Sequence, residues 1–329
     1  MTDDVLTAQA LMAMGRRGKN RRWRRILLFA LPVFLLVGLA FFLKLPGLAW
    51  HWAGTLRQEE AWRHKGLWLP DYRATIDARP IEGVTRNASG LTYDDRTNTL
   101  YLAINKPAEI VELTPQGRVL RRIPVVGVED LEGITHVRDE GFALIDERHQ
   151  RIYWISIHPE TAHIDVANAD WLGLGILLNG NLGFEGISWN ASQKRLLVAK
   201  EKFPLRVFQV EGLLSDKRPD TPINLQISEW RPEVGPEDFL RDLSSLSLHD
   251  RTGHLLVLSD ESGLLAEYSA VGELISMMPL WRGWHGLARS IPQAEGVAVD
   301  ARGTIYIVSE PNLFYRFEKP AGLDLRGGK

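Results

Sequence analysis

A hairpin-sized unit returns five times along this chain, and its spacing constrains the fold more than any other feature. The units are SGLTYDDRTNTLYLAIN from Ser89, EGITHVRDEGFALIDE from Glu132, EGISWNASQKRLLVAKE from Glu185, SSLSLHDRTGHLLVLSD from Ser244 and EGVAVDARGTIYIVSE from Glu295. The small residue behind each head (Gly90, Gly133, Gly186, Ser245, Gly296) recurs after 43, 53, 59 and 51 residues, a period that belongs to propeller blades. The apolar runs inside each unit are short, rich in β-branched and aromatic types, and bounded by Gly, Asp and Asn, so they read as strands. Turns such as Asp250-Arg251-Thr252-Gly253 and Asp300-Ala301-Arg302-Gly303 close hairpins.

After the second strand a third usually follows, as in Glu109 to Leu113, Arg151 to Ile157, Arg206 to Val210 and Leu313 to Phe317, with room for a fourth. One four-stranded blade per unit predicts an all-β, five-bladed propeller over residues 72–320. The last unit ends near Glu318, so its outer strand is expected from Tyr72 to Thr85, fastening the two ends of the ring.

In such a blade the first strand starts, and the second ends, at the same mouth of the central channel. The heads bring Glu132, Glu185 and Glu295 there, with Ser89, Asp242 and Ser244 in the other two blades. The second-strand ends bring Asn105, Asp146, Glu147, Glu201, Asp260 and Glu310. So many carboxylates raise one another's pKa unless protons or a cation compensate. Hard oxygen donors and the absence of Cys favour Ca²⁺, with Glu132, Glu185, Glu295, Asp242, Glu147, Glu201, Asp260 and Glu310 as candidate ligands. The alternative is structural: the head acids bond neighbouring backbone, and Lys106, Arg148 or Lys200 pair with them. The acids and amides of the hairpin turns fall on the opposite face and read as turn chemistry.

Ahead of the propeller, Ile26 to Leu43 is an apolar run of 18 residues, about 27 Å as a helix against a hydrocarbon core near 30 Å. Trp23, Trp50 and Trp52 flank it, and seven of the ten residues from Arg16 to Arg25 are basic. The expectation is an anchor (26–45) in the inner membrane, a cytoplasmic basic tail (1–25), a linker (46–71), a periplasmic propeller and a short tail (321–329). A cleavable signal peptide is the alternative, but no small-residue cleavage site follows Leu43.

Of 39 basic and 41 acidic side chains, 7 and 2 precede Ile26, which leaves the remainder net acidic by 7. That balance argues against nucleic acid as a partner. With no Cys the fold uses no disulfides.

At its heads and second-strand ends the chain resembles the SdiA-regulated family of bacterial proteins, also called YjiK-like. The resemblance covers roughly Ala74 to Lys319. It is carried by SGLTYDDRTNTLYLAINKPAEIVEL, GVEDLEGITHV with DERHQRIY, the HGL at His285 to Leu287, and IPQAEGVAVDARGTIYIVSEPNLFYRFEK. It implies a short membrane segment, a five-bladed propeller distantly similar to NHL repeats, and a calcium site. Ser244-Ser245 departs from the Glu-Gly pattern of the heads.

Two functions fit this reading. One is a binding module at the cell envelope for a small-molecule, glycan or protein ligand, with the ion stapling the ring. The other is a Ca²⁺-dependent hydrolase of a small ester, lactone or phosphoester, with His285 or Glu310 as general base. His285 lies in WRGWHG, where it could overhang the mouth or simply bond loop backbone. No nucleophile elbow, Walker loop or zinc signature is present, which favours binding.

Overall fold

A computed structural model describes residues 28–139, 141–174, 183–212 and 224–320. The basic tail 1–25 and the C-terminal tail 321–329 lie outside the described residues. The chain divides into two compact units, Met1–Gly47 and Leu48–Lys329.

In the first unit, α1 (Leu28–Phe42) is apolar and its side chains are largely exposed. It ends where Lys44 takes φ 54°, a left-handed conformation that stops a helix. A second helix, α2 (Leu45–Leu56), starts with Pro46 in its first turn, and a short α3 (Glu59–Trp62) follows. The expected anchor is therefore interrupted: no single described helix is long and apolar enough to cross a membrane. The bent pair α1 and α2 passes that test together, by length and composition.

The second unit is a five-bladed β-propeller, closed by its own first strand. Strand β1 (Arg73–Pro80) belongs to the last blade. Blade one holds β2 (Ala88–Asp94), β3 (Thr99–Ile104), β4 (Glu109–Leu113) and β5 (Val119–Val126). Blade two holds β6 (Leu131–Arg138), β7 (Gly141–Asp146) and β8 (Arg151–Ser156); β9 (Ile164–Asp165) crosses to pair with β5, and β10 (Trp171–Gly173) completes blade two. Blade three holds β11 (Phe184–Asn190), β12 (Arg195–Lys200), β13 (Arg206–Glu211) and β14 (Gln226–Glu229). Blade four holds β15 (Ser245–His249), β16 (His254–Ser259), β17 (Leu264–Tyr268) and β18 (Leu274–Pro279). Blade five holds β19 (Ala294–Val299), β20 (Ile305–Ser309) and β21 (Leu313–Glu318), against which β1 pairs antiparallel from Arg73↔Glu318 to Pro80↔Leu313. The closure strand thus falls where the repeat count required it.

The inner strands β2, β6, β11, β15 and β19 contact one another in that order around the axis. Their heads need small residues because neighbouring backbones nearly touch. A Cβ on Gly133 would stand 2.6 Å from the carbonyl oxygen of Glu185, and one on Gly296 would stand 2.5 Å from that of Ser89. Ser245 meets the same crowding differently, its hydroxyl accepting the N–H of Val297 at 3.2 Å. Three residues behind the heads, a ladder of hydroxyls ties blade to blade. Thr92 accepts from the N–H of His136, Thr135 from Trp189, Ser188 from Leu248 and Ser247 from Val299, at 2.9 to 3.1 Å. The equivalent residue of blade five is Ala298. Between blades the core is apolar, for example Leu256, Leu258, Val297, Ile307 and Phe317 between blades four and five.

The stretch expected as a linker is instead held on blade four. Buried Glu267 on β17 accepts the N–H of Leu67 at 2.7 Å and that of Trp68 at 2.9 Å. It also takes His254 Nδ1 at 2.8 Å and the Ser276 hydroxyl at 2.6 Å. Leu48 and Trp52 of α2 pack against the same blade, with the Trp52 ring centroid 6.3 Å from Trp281 and 5.7 Å from Trp284. The apolar Leu67, Trp68 and Leu69 are fully or almost fully buried. A carboxylate that accepts two successive backbone N–H groups fixes the chain's direction as well as its position.

Candidate functional site

The heads and second-strand ends meet at one mouth of the ring because the backbone joins them there. Asn105 donates its N–H to the carbonyl of Asn87 at 3.1 Å, Glu147 to Asp130 at 2.9 Å, Glu201 to Gly183 at 3.2 Å and Glu310 to Gln293 at 2.9 Å. Each pair sets a second-strand end beside the head of its own blade.

The carboxylates do not form one even ring. Carboxylate oxygens of Asp130, Glu132 and Glu147 lie within 4.8 Å of one another, as do those of Glu147, Glu185 and Glu201. Glu147 belongs to both groups, so five acids from blades two and three form one continuous cluster. The reason is local. Blade three carries Gly183 where blades two and four carry Asp130 and Asp242, and the Glu147 side chain occupies the space, its Cγ 1.8 Å from where a Cβ on Gly183 would be. Glu147 also accepts the N–H of Gly183 at 3.2 Å.

Glu132, Glu147, Glu185 and Glu201 are therefore brought together, and Asp130 joins them although it was not among the expected ligands. Its signal in the sequence is its place two residues before Glu132, matching Asp242 before Ser244. Asp242, Asp260, Glu295 and Glu310 fall in neither close group. Asp242 is turned onto its own blade, where it accepts the Ser259 hydroxyl and the Glu261 N–H at 3.1 Å. Asp260 accepts the N–H of Ala294 at 3.0 Å.

Cations reach only the rim of the cluster. Asp130 binds Lys106 at 2.9 Å and Arg148 at 3.4 Å, and Glu201 pairs with Lys202. The Lys200 ammonium instead donates to the carbonyl of Lys202. Among the described residues no Lys, Arg or His forms an ion pair with Glu132, Glu147 or Glu185. Their electrostatics follow. Burial first, then Glu147 and Asp130, pushes Glu132 up to about 8 despite a hydrogen bond from Ser89. Burial, then Glu201, Glu295, Glu132 and Glu147, pushes Glu185 well above the usual range. Burial also raises Glu147, beside Asp130 and Glu201. On the far side of the mouth, burial with Asp260 and Glu132 takes Glu295 to about 8, and burial takes Asp242 to about 6. Asp130 moves down, because hydrogen bonds from Lys106 and Asn105 outweigh its burial.

Five carboxylates without enough cations between them will hold protons or a metal ion. The donor set is all oxygen, which suits a hard cation of six to eight ligands. Asn105 adds to it: its amide nitrogen donates to Glu132, and its amide oxygen is buried with no hydrogen-bond partner. The residues present fit a divalent cation of the calcium kind.

His285 is elsewhere. Its ring Nδ1 donates to the carbonyl of Tyr72 at 2.8 Å and its own carbonyl accepts the N–H of Ala74 at 2.8 Å, at φ 50°. It fastens the WRGWHG loop to the outer edge of blade five instead of overhanging the mouth, a correction to the expected base. The sequence placed it one loop before a head, but on its way there that loop packs against β1, the outer strand of blade five. Glu310 does stand at the mouth, raised by burial and by Asp260.

A five-bladed propeller with clustered acids at one mouth is the class these features define. A family model described as SdiA-regulated matches residues 64–318, and the chain belongs to that family. Among solved structures the chain is similar to a luciferin-regenerating enzyme, at 10% identity and TM-score 0.45, over 76% of this chain and 82% of that one. It is similar to a chain of a nidogen/laminin complex at 12% identity and TM-score 0.44, over 68% and 73%. A virginiamycin B lyase from Staphylococcus aureus, solved with quinupristin, is similar at 12% identity and TM-score 0.41, over 70% and 65%.

Proposed function

We propose that this protein is a calcium-binding propeller that presents the acidic mouth of its channel to a ligand or partner at the cell envelope. The observation that carries the reading is the close cluster of Asp130, Glu132, Glu147, Glu185 and Glu201, three of whose members have no cationic side chain paired to them among the described residues. A divalent ion would relieve the repulsion that raises their pKa values, and would tie blade two to blade three. Calcium is preferred over softer metals because every donor is oxygen. The apolar run 26–45, which includes α1, would hold the protein in the inner membrane, and the basic run Arg16 to Arg25 would keep the N-terminus cytoplasmic, leaving the propeller periplasmic.

Binding is favoured over hydrolysis of a small ester, lactone or phosphoester because His285 is engaged with the Tyr72 carbonyl. The test is calorimetric titration of Ca²⁺ into chelator-treated protein, repeated with Glu132→Gln/Glu185→Gln. Saturable binding to the wild type that is lost in the variant supports the reading. Equal binding by both, or none by the wild type, would overturn it.

A further inference from the structure

At the opposite end of the ring the charge is reversed. A cavity of about 370 Å³ opens where the turns of blades four and five meet the closing strand, lined by Tyr72, Arg251, Arg302, Thr304, Glu318 and Lys319. Three cationic side chains converge there in a propeller that is otherwise net acidic. Arg251 comes from the β15–β16 turn and Arg302 from the β19–β20 turn, so each is carried on a tight hairpin of a rigid blade.

The negative groups nearby are already engaged. Glu318 is paired with Arg316 at 2.7 Å. Buried Asp300 accepts the N–H of Arg302 at 2.9 Å, the N–H of Thr304 at 2.8 Å and the Tyr306 hydroxyl at 3.1 Å. Against those three bonds the side-chain contact of Arg302 is long, 3.5 Å, and that side chain is 72% exposed. Arg251 forms no ion pair among the described residues, and it is exposed. The wall beside them is aromatic: Tyr72 is held by its hydroxyl on the Gly303 carbonyl at 2.6 Å, and the Lys319 ammonium lies 5.8 Å from its ring centroid.

We infer that this cavity binds a small phosphomonoester. Two guanidinium groups carried on adjacent turns offer planar pairs of N–H donors that match phosphate oxygens, and the buried Lys319 ammonium behind them adds positive charge to the wall. The volume falls in the range of small-molecule sites and exceeds what a bare phosphate fills. The organic part of the ligand would lie along the aromatic wall. This site is independent of the acidic mouth, which lies at the other end of the blades.

The experiment is titration of the full chain, in detergent and excess chelator, with inorganic phosphate and with glycerol 1-phosphate, followed by calorimetry or ligand-observed NMR. Saturable binding is expected, tighter for the phosphomonoester and weakened about tenfold or more by Arg251→Ala or Arg302→Ala, as loss of a charge-assisted pair requires. Arg118→Ala, on the β4–β5 turn of blade one and outside the lining of the cavity, leaves it unchanged. No saturable binding, equal binding by the variants, or tighter binding of citrate than of either phosphate would overturn the assignment. Thermal melts of each variant confirm that the fold is intact, since both arginines are exposed.

Discussion

Gly133 faces the carbonyl of Glu185 so closely that a Cβ on it would lie 2.6 Å from that oxygen, with Ile145 Cδ1 and Ile187 Cγ2 each 3.0 Å away. The oxygen belongs to the neighbouring inner strand and cannot swing aside as a side chain would. Gly133→Ala is therefore expected to cost about 1–3 kcal/mol, the range for overpacking a rigid core. Denaturant unfolding of the variant measures it, and a change under about 0.5 kcal/mol would mean that the inner ring yields more easily than its packing implies.

The metal-free protein should lose stability as pH rises. Glu132 and Glu295 are raised to about 8 in the fold from an ordinary 4.5. Between those values the unfolded chain has released the proton that the folded chain keeps, so the unfolded state binds fewer protons and stability falls with pH. In chelator, Tm should be higher near pH 5 than near pH 8, and Ca²⁺ should restore more of it at pH 8. A flat profile would show that these carboxylates are ionised in the fold without metal.

Glu267→Ala should detach the segment that precedes the propeller. It strands the N–H groups of Leu67 and Trp68, the His254 ring and the Ser276 hydroxyl, all buried and all bonded to that one carboxylate. A loss of about 3 kcal/mol is expected, from buried donors left unpaired at about 1–3 kcal/mol each with partial relaxation. Limited proteolysis should then cut between Arg57 and Lys65 faster than in the wild type. Unchanged protection there would show that apolar packing of Leu67 to Leu69 suffices.

His285→Asn should leave calcium titration unchanged, because the ring bonds the Tyr72 carbonyl and not the mouth. Asn tolerates the left-handed backbone that this position adopts. Any loss of stability should come from the outer edge of blade five, visible as faster amide exchange at Ala74. A calcium affinity that falls with this substitution would place His285 back in the site.

The propeller was legible in the chain because a blade is a local object. Alternation within Leu100, Leu102 and Ile104 sets a strand, Asp-Arg-Thr-Gly sets a turn, and the return of the head at blade spacing sets the ring. Closure by Arg73–Pro80 also followed, since the last unit has three strands and a four-stranded blade needs a fourth. The hydroxyl ladder of Thr92, Thr135, Ser188 and Ser247 could have been read from the same alignment of units, three places behind each head.

What tertiary structure alone decided is which neighbours share space across blades. The repeat placed Glu132, Glu147, Glu185, Glu201, Asp242, Asp260, Glu295 and Glu310 at one mouth, but equivalence in a repeat carries no lateral distance. Gly183 lets Glu147 reach across toward blade three, while Asp242 folds back onto Ser259, so the acids gather on one side of the ring. His285 and the stretch from Leu48 to Leu69 were decided in the same way. Each is held by partners about 200 residues away in sequence, Tyr72 for the first and Glu267 for the second. Periodicity reports how a segment folds on itself; a buried carboxylate or carbonyl met from another blade leaves no mark on that pattern.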